Sequence, residues 1–83
     1  MDRKVWASPI ILDMHLDGHY RVVTSAKEAA KVLSNEWPPA EGYFYRNALA
    51  QTAAALRGDV SPELCRGAFL LAARHAGIPV VNG

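Results

Sequence analysis

Two stretches near the start of the chain, Pro9 to Met14 and His19 to Thr24, are rich in β-branched and long apolar side chains and flank Leu16-Asp17-Gly18. That pattern predicts a β-hairpin, and the loop length decides its register. A two-residue Asp17-Gly18 turn would put His19 and Arg21 on the face of Leu12, Met14 and Leu16, mixing polar with apolar. A three-residue loop with Gly18 in the left-handed position of a bulge pairs His15 with His19, Met14 with Tyr20, Asp13 with Arg21 and Leu12 with Val22. The second arrangement is the expected one. It turns Ile10, Leu12, Met14, Tyr20 and Val22 inward, and Asp13, His15, His19 and Arg21 outward together with Ile11 and Val23. It also sets up an Asp13–Arg21 cross-strand pair worth about 0.2–1 kcal/mol.

From Ser25 onward the apolar spacing becomes helical. Ser25-Ala26-Lys27-Glu28 is a capping box that starts a helix at about Ala26. Ala29, Val32 and Leu33 follow its inner side, and Trp37-Pro38-Pro39 stops it near Asn35. A second helix is predicted from about Gly42 to Arg57, with Tyr45, Ala48, Leu49, Thr52, Ala53 and Leu56 on one stripe and Gly58 as its C′ residue. Ser61 as N-cap and Pro62 at N1 open a third helix that closes at Gly77, with Ile78 placed for a Schellman contact. The short link makes helices two and three antiparallel neighbours. Val80 and Val81 offer a short third strand at the hairpin edge. The fold predicted is a small single α+β domain, a β-hairpin packed on three α-helices in the order ββααα.

Composition narrows this picture. At 83 residues the chain has room for one core, a single domain over 1–83 with its ordered part at about 6–80. Apolar residues make up 51%, which excludes a disordered protein, but 14 of them are alanine and only seven are aromatic. Small residues suit close helix packing. The net charge of +1 supplies no basic face of the size nucleic acid demands, so a nucleic-acid partner is not expected. Cys65, the single cysteine, has no intramolecular partner for a disulfide, and no apolar run approaches the roughly 20 residues of a membrane span. The chain is read as cytoplasmic.

The third helix changes the expectation about partners. Leu64, Cys65, Ala68, Phe69, Leu70, Leu71, Ala72, Ala73 and Ala76 leave it a polar arc of only Glu63, Arg66, Arg74 and His75. A helix apolar nearly all round needs cover on most sides, and a second copy of the chain would supply the missing layer. Alternatively, its alanines and Leu70 tolerate exposure as scattered surface residues do. The leading expectation is therefore a non-catalytic, self-associating interaction module, a homodimer or a binder of a protein partner.

Candidate chemistry is sparse. Asp13, His15 and His19 form weak candidate metal ligands on the outer hairpin face, competing with the plainer reading of a solvated strand. Cys65 lies near the start of helix three, where a helix dipole favours a thiolate, but its spacing with Ala68, Phe69 and Ala72 makes it a core thiol. No phosphate loop, dinucleotide fingerprint, CxxC, zinc-protease motif or nucleophile elbow is present, so no catalytic residue and no cofactor is assigned. The best recognition candidates are Trp37, Tyr43, Phe44 and Arg46, clustered around the helix-two start, together with Arg66. Trp37 and Tyr45 are read first as closing the core where helix one ends, which leaves Tyr43, Phe44 and Arg46 open. A second functional class, small-ligand binding or unrecognised catalysis, would use Arg21, Arg46, Arg66 and the hairpin histidines.

Pro9, Arg21-x-Val23-x-Ser25, Glu28-Ala29, Trp37-Pro38, Gly42, Ala48, Ala55-Leu56-x-Gly58, Arg66-x-Ala68-Phe69, Ala72-Ala73 and Ala76-Gly77-Ile78 stand in an arrangement that resembles the bacterial family called domain of unknown function 982. The likeness runs from about Trp6 to Val80, and its most distinctive pieces are the Trp-Pro after helix one and the Arg-x-Ala-Phe of helix three. The resemblance implies one small stand-alone α+β domain in the cytoplasm and carries no activity, cofactor or catalytic residue with it. Thr52 stands where the resemblance leads one to expect a cysteine, and Cys65 where alanine is more usual.

Overall fold

The computed structural model describes residues 5–14, 20–38 and 42–82. Strand β1 (Val5–Asp13) pairs antiparallel with β2 (Tyr20–Ser25), and three helices follow: α1 (Ala26–Lys31), α2 (Tyr43–Arg57) and α3 (Pro62–His75). The chain is an α+β domain of order ββααα, as its periodicities predict. The expected turn at Leu16-Asp17-Gly18, with the His15–His19 pair, lies outside the described residues.

The hairpin register differs from the expected one by a single residue. Ile10 pairs with Val23, Ile11 with Val22, Leu12 with Arg21 and Asp13 with Tyr20. Because directly opposed residues share a face, this shift exchanges the two sides of β2. Val23, expected outside, is fully buried, whereas Tyr20 and Val22, expected in the core, are exposed at 60% and 45%. Ile10 and Leu12 are buried as predicted, and Met14 packs partly against the core. Arg21 turns to the core side rather than outward, and Asp13 faces Tyr20 instead of Arg21.

The far end of the hairpin supplies a reason. Val5 pairs with Ser25, so residues 6 to 9 of β1 stand opposite Thr24 alone. This irregularity bends β1 and brings Trp6 back into the core while Ala7, Ser8 and Pro9 stay exposed. Its free carbonyls are taken from elsewhere: Arg66 Nε donates to the Ser8 carbonyl at 2.7 Å, and Asn82 Nδ2 to that of Pro9 at 2.7 Å. On the same edge of β1 the Asp13 N–H donates to the Pro79 carbonyl and the Val81 N–H to that of Ile11. Asn82 Oδ1 accepts from the Ile11 N–H at 2.9 Å. The third strand is thus a single Leu12–Val80 bridge, extended by an asparagine amide that imitates a peptide unit, and β1 is the middle member.

Local signals place the helices well. Ser25 Oγ accepts from the Glu28 N–H, but the Glu28 carboxylate turns to Arg21 rather than completing the capping box. After Lys31 the chain continues as a π-helical turn over Val32–Glu36 that buries Val32 and Leu33 and ends at Trp37. Ser61 Oγ accepts from the Leu64 N–H, with Pro62 opening α3. Both later helices end in Schellman motifs built on left-handed glycines. Gly58 and Asp59 donate to the carbonyls of Ala55 and Ala54, and Gly77 and Ile78 to those of Arg74 and Ala73. On α2 the buried stripe is Ala48, Thr52 and Ala55, while Ala53, expected on it, is exposed. Positions i, i+4 and i+7 share a face, and 53 falls off that row.

The core is an aromatic chain lined by small residues. Phe69 is fully buried, with the Trp6 ring 5.8 Å away on one side and the Trp37 ring edge-on at 5.4 Å on the other. Trp37 also meets Tyr45 at 6.4 Å, and the Tyr45 hydroxyl donates to the Leu33 carbonyl at 2.8 Å.

The register makes an isosteric prediction. Val23→Thr buries a hydroxyl in an apolar core and should cost about 1–3 kcal/mol, whereas Val22→Thr should stay within about 0.5 kcal/mol of the parent. Urea denaturation of both variants checks this; equal losses would contradict the pairing.

A candidate interaction face on the helix pair

Helices α2 and α3 pack through Ala48, Thr52 and Ala55 on one side and Cys65, Ala68 and Ala72 on the other. Such small side chains let the two backbones approach closely, with Phe69 turned to the core and Leu64 and Leu71 on the outer arc of α3. Leu64 and Leu71 remain 51% and 45% exposed there, with Gly67 between them. Beside these leucines runs an open groove of about 450 Å³ floored by Ala68 and walled on α2 by Asn47 and Gln51. Glu63 and Arg74 stand at the two ends of the same arc, and neither makes an ion pair among the described residues. A Cβ built on Gly67 meets nothing within 4 Å. The fold itself therefore gives no steric reason for a residue that weakens a helix interior by about 1 kcal/mol relative to alanine.

The residues singled out from the sequence are dispersed. Trp37 belongs to the aromatic core. Tyr43 is 67% exposed and meets Phe44 edge-on at 5.4 Å; Phe44 in turn stacks on His75 at 3.7 Å, tying the start of α2 to the end of α3. Arg46 is exposed nearby. Arg66 spends its Nε on the bent strand, and Arg21 binds Glu28 at 3.2 Å and Glu36 at 3.1 Å. The hydrogen bond that Arg21 donates to Glu36 raises the Arg21 pKa against partial desolvation, assisted by the charges of Glu36 and Glu28, so this guanidinium is fixed as a cation. No hydrogen bond or ion pair joins Arg21, Arg46 and Arg66 to one another among the described residues. Asp13 is partly buried, the candidate ligands His15 and His19 lie outside the described residues, and no metal-holding cluster occurs among the described ones.

The apolar character of α3 is visible in its sequence, but the Leu64–Gly67–Leu71 row is not among the expected site residues. A glycine at the middle of a predicted helix, three and four residues from two leucines, is the signal that marks it.

Cys65 is fully buried, and its Sγ lies 3.5 Å from Thr52 Oγ1. Desolvation pushes the thiol pKa up, only partly offset by the hydrogen bond with Thr52. The folded state thus keeps the thiol neutral while the unfolded chain can ionise it above about pH 8.5. The sign follows: this contribution to stability is complete at neutral pH and lost as pH rises, at up to about 1.4 kcal/mol per unit. Denaturant melts at pH 7.5 and 10 should show a smaller alkaline loss in Cys65→Ala than in the parent. An identical loss would place its cause elsewhere.

Among the described residues no helix is long and apolar enough to cross a membrane. No curated protein and no solved structure matches the chain. Among protein families, the one described as "Protein of unknown function (DUF982)" matches residues 8–80. With nearly its whole length matched, and with Pro9, Trp37-Pro38 and Arg66-x-Ala68-Phe69 at the bend, the aromatic core and the strand clamp, the chain belongs to this family of unknown function.

Proposed function

We propose that the chain is a non-catalytic interaction module that self-associates through the outer face of the α2–α3 pair. The observation that supports this reading is the exposure of Leu64 and Leu71 on either side of Gly67, beside an open apolar groove. Finishing the burial of a half-exposed leucine is worth about 1 kcal/mol, so four of them across a two-fold interface supply about 4 kcal/mol. Association costs about 4–15 kcal/mol in lost freedom, so these leucines alone at best offset that cost and the surrounding contacts must supply the net affinity. A pair held this way belongs at the weak end of association, in the micromolar to millimolar range of about −8 to −4 kcal/mol. The near-neutral charge favours a protein partner over nucleic acid. The buried, unpaired thiol fits a reducing compartment, and we assign the chain to the cytoplasm.

Sedimentation equilibrium over a dilution series from millimolar to sub-micromolar tests the reading. The average mass should rise with concentration from 9.0 kDa toward twice that value. A monomer at every concentration would sink it.

A further inference from the structure

We infer that the second copy docks with its α3 antiparallel to the first, the two helices crossing at Gly67 and closed by reciprocal Glu63–Arg74 ion pairs. This inference rests on the self-association reading and specifies its geometry. At about 100° per residue, Leu64, Gly67, Leu71 and Arg74 lie at i, i+3, i+7 and i+10, one seam along the exposed arc of α3. With Gly67 at its centre, rotation along the helix puts Leu64 and Leu71 about 40–60° to the α2 side and Glu63 and Arg74 about 20–40° to the other, with Glu63, in the first turn, also lining the end of the groove.

Two-fold symmetry then selects the direction. In an antiparallel pair each flank of one helix meets the same flank of the other. Leu64 comes level with Leu71 of the second copy when the axis passes between positions 67 and 68. With that axis the Glu63 and Arg74 of different copies are offset by two residues, about 3 Å along the helix and within side-chain reach. In a parallel pair the flanks would be exchanged, setting the leucines against Glu63 and Arg74. Within one chain Glu63 and Arg74 are 11 residues apart, about 16 Å along α3, too far to satisfy each other. Both carry unspent charge among the described residues, and antiparallel α3 helices also bring opposite ends of their dipoles together. The crossing gives Gly67 a purpose: without a side chain there, the helices approach closely enough to bury the flanking leucines, and the leucines of each copy enter the groove beside Asn47 and Gln51 of the other.

A mixing experiment tests the pairing. Glu63→Arg and Arg74→Glu are made separately, checked for helicity by circular dichroism, and studied by sedimentation alone and in equimolar mixture. Each variant alone sets like charges together at both ends, and its dissociation constant should rise at least tenfold. The mixture restores two opposite-charge pairs, so association should return to near the parental value. Gly67→Ala, a substitution that favours the helix and meets no atom within the chain, should fold normally and weaken association at least tenfold. If the parent associates but the charge variants and Gly67→Ala leave it unchanged, the α3 pairing is overturned while self-association stands on another face. Weakened variants whose mixture is not restored overturn the antiparallel arrangement. A parent that never associates overturns both readings together.

Discussion

The fold hangs on one buried ring. Phe69 is held between Trp6 of the bent strand and Trp37 at the end of the π-helical turn, and through Trp37 it reaches Tyr45 of α2. These four side chains come from the hairpin, the π-helical turn and both long helices, and their rings dominate a core otherwise made of alanine, aliphatic side chains and Cys65. The arrangement tolerates a cost. Neither indole N–H has a partner among the described residues, a penalty of about 1–3 kcal/mol apiece that the ring packing must outweigh. The bend in β1 and the π turn after α1 then become intelligible as the backbone distortions that bring the two tryptophans onto one phenylalanine.

Around that ring, the alanines decide what is left over. Close packing of α2 on α3 through small residues leaves a thin seam, and the helices cannot also bury bulky side chains on their far sides. Phe69 fills the inner side of α3, so Leu64 and Leu71 are forced outward. An alanine-rich interior in a chain this short therefore generates an exposed apolar arc as its geometric remainder, and the presence of glycine in the middle of that arc shapes the remainder into a groove rather than a ridge.

The parts of the fold legible in the sequence are those governed by neighbours along the chain. Ser25, Ser61 and Pro62 mark helix starts and Gly58 and Gly77 mark helix ends, because caps are made by residues within a few positions of one another. The hairpin register was not legible for the opposite reason. Alternation within Ile10 to Val23 is nearly as good one residue out of step, and what selects between the two registers is Trp6 turning inward, Arg66 reaching back 58 residues to the Ser8 carbonyl, and Asn82 closing the ladder 73 residues from Pro9. The interaction face was half legible: the apolar excess of α3 could be read, but which of its residues remained outside depended on how closely α2 approached.

The placement of Arg21 connects the register to the choice of surface. A two-stranded sheet has two edges, each a template for pairing with another chain. On β1 that template is occupied by Val80, Val81 and the Asn82 amide. On β2 no described residue pairs with it, but an arginine on the core side, tied to Glu28 and Glu36, puts a fixed charge at the margin where an added strand would have to continue the apolar face. Glu28 gives up half of its capping box to hold that charge in place. Val22 and Tyr20 stand exposed on the outer face, and Val5 and Val81 are exposed as well, whereas the leucines of α3 are continuous with a groove. The hairpin edges are closed by bonding and by charge, and what sets the α3 leucines apart from the exposed apolar residues of the hairpin is the groove beside them.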